Sequence, residues 1–144
     1  MGAEEEDPLR AFCSLVSRRT PRSGALAWAL RRFELGCERP AAFEALTDWL
    51  LAAEALLGER VAERMAAICA VPAERDALAA RVRDVMELEH RVMAGIVRPD
   101  AGTDAAIEEL GGHVRAILRD VLCGHLEPDL RGLADELLAE PAPQ

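Results

Sequence analysis

Apolar residues in this chain return every three or four positions, segment after segment, and proline or glycine punctuates each segment. That period belongs to amphipathic helices, and no alternating or β-branched, aromatic-rich run competes with it. The pattern predicts an all-α fold, a single helical bundle of about six helices with short connections between antiparallel neighbours. Residues 1–20 read as an acidic segment with a short helix, residues 21–140 as the bundle and residues 141–144 as a tail.

Asp7 and Pro8 form a cap and first-turn pair ahead of Leu9, Phe12, Cys13 and Val16. Ser23 can cap a helix that buries Leu26, Leu30, Phe33 and Cys37, with Gly36 as a left-handed stop. After Pro40, residues 41–57 carry the most apolar helix. One stripe is Phe43, Leu46, Leu50, Ala53 and Leu57, beside a second of Ala45, Trp49, Ala52 and Leu56, which predicts a helix surrounded by the others. Gly58 ends it, and Val61, Met65, Ile68 and Cys69 face inward from a short helix. Pro72 opens a long helix with an inward stripe of Leu78, Val82, Val85, Val92 and Ile96, and Met86 and Met93 alongside. Thr103 or Asp104 caps the next helix, which buries Ile107, Leu110, Val114, Ile117, Leu118 and Val121. Gly111 and Gly112 weaken it by about 1 kcal/mol each relative to Ala, so a close helix crossing or a kink is expected there. Gly124 stops this helix, and Pro128 begins the last one, with Leu130, Leu133, Ala134, Leu137 and Leu138 inward.

With 144 residues, the chain suits a single core. Every basic residue is Arg, which we read as the codon bias of a GC-rich genome. A net charge of −9 repels polyanions and argues against a general nucleic-acid binder. Cys13, Cys37, Cys69 and Cys123 lack zinc-ligand spacing and read as small buried thiols. His113, Cys123 and His125 lack a fourth ligand, so no metal and no cofactor is expected. The acidic start is unlike a targeting peptide and no apolar run reaches the roughly 20 residues of a membrane span, which leads us to expect a cytoplasmic protein without membrane contact.

The run Phe43-Glu44-Ala45-Leu46-Thr47-Asp48-Trp49-Leu50-Leu51-Ala52-Ala53-Glu54-Ala55-Leu56-Leu57 resembles the central helix of Apea-like HEPN domains. In that helix an Asp, here Asp48, precedes an apolar stretch and an Ala-Leu-Glu-type ending, here around Glu54. The order of the later segments is similar too: a short helix with Arg64, a long helix ending in Glu89-His90-Arg91-Val92-Met93-Ala94-Gly95, then a helix rich in Arg and Leu. The similarity covers roughly residues 25–123. It implies a helical bundle, commonly homodimeric, and in many members a metal-independent ribonuclease. Such an enzyme holds phosphate with an Arg and moves a proton with a His shortly after it. In the family's Arg-Ser-x-x-x-His-Gly segment the Arg position is Glu89 here, the His position is Ala94, and only Gly95 is kept. A carboxylate in the phosphate-binding place repels substrate.

The resemblance therefore implies a non-catalytic interaction or regulatory domain, homodimeric and acting through a protein partner that the sequence does not identify. The alternative is a ribonuclease with Arg83 and His90 as a displaced pair, although these fall on the face opposite Leu78 and Val82 and read as solvated. Arg119 and His125 form a weaker pair, with His125 better placed to meet a helix C-terminus. Projection at about 100° per residue puts Glu89 within the inward stripe. We expect a mostly buried carboxylate there, bonded to backbone donors or to an arginine such as Arg31, Arg32, Arg115 or Arg119.

Overall fold

The computed structural model describes Pro8 and residues 24–95, 98 and 100–140. The expected first helix, with Cys13, and the tail at 141–144 lie outside the described residues. Six α-helices are seen: α1 Ala25–Cys37, α2 Ala42–Leu57, α3 Val61–Cys69, α4 Arg75–Met93, α5 Ala101–Leu122 and α6 Leu130–Ala139. A single 3-10 turn, Pro72–Glu74, leads into α4, and no strand occurs among the described residues. None of these helices is long and apolar enough to cross a membrane.

As its two apolar stripes require, α2 is the central helix and packs against all five others. Leu46, Ala52, Ala53 and Leu57 are sealed in the core with Leu30 of α1, Met65 of α3, Leu78 of α4, and Ile107, Val114 and Leu118 of α5. The helix is not surrounded on every side. Phe43, expected on the inward stripe, is 39% exposed because it sits in the first turn, before the neighbouring helices close over α2.

Local chemistry sets the ends. Gly58 takes φ +76° and its N–H closes α2 on the Glu54 carbonyl. The Arg64 guanidinium then donates to the Leu57 carbonyl at 2.6 Å and pairs with Asp135 of α6, so one side chain caps α2 and ties down α6. Arg75 does similar work with the Leu137 and Ala67 carbonyls. In a chain with no lysine, these forked donors satisfy helix C-termini that water would otherwise have to reach.

Three expected ends move. The cap of α1 is Gly24, not Ser23, and it makes no side-chain capping bond. The cap of α5 is Asp100, not Thr103 or Asp104: its carboxylate accepts from Thr103 N–H and the Thr103 hydroxyl accepts from Asp100 N–H, a reciprocal capping box. Gly36 is not a left-handed stop; it is buried inside α1, which runs on to Cys37. The reason is Trp49. Its indole lies against Gly36 on one side and Gly111 on the other, where a Cβ would come within 2.7 Å of Cζ3. Its N–H donates to the Phe33 carbonyl at 3.3 Å, and its ring stacks on Phe33 with centroids 6.3 Å apart. The close crossing expected at Gly111 is therefore present, formed around one tryptophan.

Candidate functional site

Burial of Ala29, Leu30, Phe33 and Gly36 orients α1 and leaves Trp28, Arg32 and Leu35, spaced four and three apart, along its flank. The Arg32 guanidinium carbon stands 5.1 Å from the Trp28 ring centroid, within cation–π range. Across the seam on α2, Asp48 is 3% exposed and is the one buried charged residue among those described. Arg32 Nη1 reaches Oδ1 at 3.3 Å, and Arg39, in the turn after α1, donates from Nε to Oδ2 at 3.0 Å. Each carboxylate oxygen thus has its own guanidinium, and both arginines stay partly open to solvent. The result is a fixed edge on which a tryptophan, a leucine and two oriented cations stand beside one another.

The buried, arginine-paired carboxylate is thus Asp48, where the sequence pattern points to Glu89. Glu89 keeps 21% of its side-chain surface exposed; Thr47 Oγ1 donates to it at 3.2 Å and His90 Nδ1 stands 3.8 Å away. No arginine among the described residues pairs with it; Arg32 is taken by Asp48 and Arg119 by Asp120. Helical projection puts Glu89 on the correct side of α4 but assumes cover along the whole helix. Leu78, Ala79, Val82 and Val85 are buried, Val92 is only half-buried and Met93 is 71% exposed. The C-terminal half of α4 has outrun its neighbours.

Arg83 and His90 do not meet. The Arg83 guanidinium donates to Glu63 of α3 at 3.1 and 3.3 Å, and the backbone around Glu63 together with Arg83 holds that carboxyl below its ordinary value. His90 is largely in solvent beside Glu89. The shallow groove beneath it, about 110 Å³, is lined by Thr47, Leu50, Glu54, Met86 and Glu89 but not by Arg83. Glu54 is exposed on α2. Arg119 and His125 both turn to Asp120, at 3.4 and 4.0 Å.

No group of three His, Cys, Asp or Glu able to hold a metal is present among the described residues. Burial pushes the Cys69 thiol up to about 12, with Asp120 adding to the shift, so it is an inert thiol in a half-buried place. Cys37 departs from the buried-thiol expectation and is exposed, because α1 continues past the end of its core contact. Burial pushes the His113 pKa down, and its Nε2 has no hydrogen-bond partner among the described residues.

Other clefts are larger, among them one of about 670 Å³ lined by Glu54, Gly58, Arg60, Arg64, Met86 and Arg131. A groove of about 630 Å³ runs between α4 and the start of α5, carrying both charge signs from Arg81, Asp84, Arg91 and Asp100. A smaller cleft of about 310 Å³ opens beside Trp49 and the two glycines of α5. Apolar periodicity alone misses the Trp28–Arg32–Leu35 edge, although the i, i+4, i+7 spacing that makes it is present in the sequence. Comparison with family models, curated proteins and solved structures finds no match to this chain.

Proposed function

We propose that the chain is a non-catalytic, HEPN-like helical interaction domain acting in the cytoplasm through a protein partner, the first partner being a second copy of itself. The observation that carries this reading is the edge of α1. Trp28 and Leu35 are among the few large apolar side chains left exposed, and Arg32 is held between them by the buried Asp48. Tryptophan and arginine in fixed positions are the residue types on which protein interfaces concentrate their binding energy. Glu34 on α1 and Glu38 just past its end lie exposed and supply the opposite charge that a two-fold related copy would bring to Arg32 and Arg39.

The absence of catalysis in this proposal rests on the separate engagements of Arg83 and His90. A phosphate-binding cation and a proton-transfer group have to converge on one reacting phosphate, and here each is turned to its own carboxylate. Incubating the purified protein with mixed RNA, beside an Arg83→Ala, His90→Ala double variant, tests this. The expectation is no cleavage from either. Cleavage by the wild type that the double variant loses would overturn the proposal in favour of a metal-independent ribonuclease.

A further inference from the structure

The cleft between α1, α2 and α5 has features that the α1 edge does not explain. Its volume of about 310 Å³ sits at the lower end of small-molecule pockets. Trp49 forms an aromatic wall, backed by the buried Phe33 on which it stacks and fixed by the indole N–H bond to the Phe33 carbonyl. The adjoining wall is one face of α5 carrying Glu108, Gly111, Gly112 and Arg115 at helical spacing, with the edge of the Trp49 ring seated on Gly111. Two glycines in the middle of a 22-residue helix are costly, and packing explains only Gly111, which Trp49 requires. A Cβ on Gly112 would meet nothing within 4 Å. The fold does not demand this second glycine. Its missing side chain keeps the cleft open.

Arg115 stands at one end of that opening. It is half-buried and takes no hydrogen-bond or ion-pair partner among the described residues, although most other arginines of the bundle are engaged. Glu108 stands at the other end, two helical turns away. An aromatic wall, an open place at Gly112 that admits a thin body, a guanidinium at one end and a carboxylate at the other define a ligand by exclusion as well as by fit. We propose that this cleft binds a small planar aromatic monocarboxylate, its ring against Trp49 and its carboxylate on the Arg115 guanidinium. Arginine and carboxylate form a charge-assisted, two-pronged hydrogen-bonded pair, and Glu108 rejects a second negative charge at the far end.

The probe is 2-naphthoate, titrated into ¹⁵N-labelled full-length protein while the two indole N–H resonances are followed. Trp49 lies in the cleft and Trp28 does not, so one is the reporter and the other the control. The expected result is a saturable shift of the Trp49 signal and of the Gly111 and Gly112 amides with Trp28 unmoved. The neutral 2-naphthamide and the 2,6-naphthalenedicarboxylate should bind at least about tenfold more weakly. Arg115→Gln should weaken 2-naphthoate by about tenfold or more, and Gly112→Leu, which fills the cleft, should abolish the shift. An amide that binds as well as the acid, an unmoved Trp49 signal up to about 5 mM probe, or undiminished binding by a folded Gly112→Leu variant would each overturn the proposal. The acid and amide comparison uses the wild type alone, so it decides even if the leucine variant does not fold.

Discussion

Asp48 and Glu89 show how the same side-chain chemistry has different consequences at two depths. Asp48 is sealed at 3% exposure and accepts from two guanidinium groups, so removing it leaves the arginines without the acceptor around which the α1–α2 seam is arranged. We expect Asp48→Ala to cost about 2 kcal/mol, because the stranded arginines are partly exposed and can turn to water instead of remaining as buried unpaired charges. Glu89→Ala gives up one hydroxyl bond at a partly exposed site and should cost less than about 1 kcal/mol. Denaturant unfolding of the two variants ranks them, and a larger loss for Glu89 would refute the assignment of the buried pair. His113 sets a pH dependence of its own. Burial pushes its pKa below the ordinary 6.5, so as pH falls the unfolded imidazole takes up a proton before the folded one does. Its effect on stability is nil well above that value, and stability is lost progressively below it until the folded ring titrates too. Melting temperatures of wild type and His113→Phe, compared between about pH 7 and pH 5, should show the variant losing less as pH falls, and an equal loss in both would contradict this.

At the scale of elements, α5 makes the sharpest prediction, because its adjacent glycines differ only in what lies beyond them. Gly111→Ala drives a methyl into the Trp49 ring and should destabilise by about 1–3 kcal/mol. Gly112→Ala meets open space and should stabilise by up to about 1 kcal/mol through helix propensity alone. Equal effects of the two substitutions, read from urea midpoints, would contradict the packing described around Trp49. The helices themselves are legible in the sequence, since the apolar period, Gly58 and Pro72 mark ends that the structure keeps. The features that are not legible depend on neighbours. Gly36 has the composition of a stop signal, and only a tryptophan thirteen positions further along the chain makes it a contact glycine. Asp100 does not stand out as a cap because it sits in a loop-like run with Pro99 and Gly102, and the reciprocal bond to Thr103 is what selects it.

For the whole molecule, the same limit applies to the candidate site. A period of apolar residues identifies which side of a helix turns inward, but not where along that helix the cover ends. Periodicity therefore puts Glu89 on the right face at the wrong depth, while Asp48, on the flank of α2, is the buried charge because two arginines from α1 and its following turn close over it. The α1 edge emerges only once Asp48 is seen to fix Arg32 between Trp28 and Leu35. That edge is the basis for reading this bundle as an interaction domain, so the decisive measurement is its state of association. Sedimentation equilibrium of the wild type and of a Trp28→Ala, Leu35→Ala variant, at tens of micromolar and moderate salt, tests it directly. We predict a wild-type mass of twice the 15.6 kDa chain and a folded variant at the single-chain mass. A wild type that remains at the single-chain mass, or a variant that dimerises as tightly as the wild type, would contradict this reading.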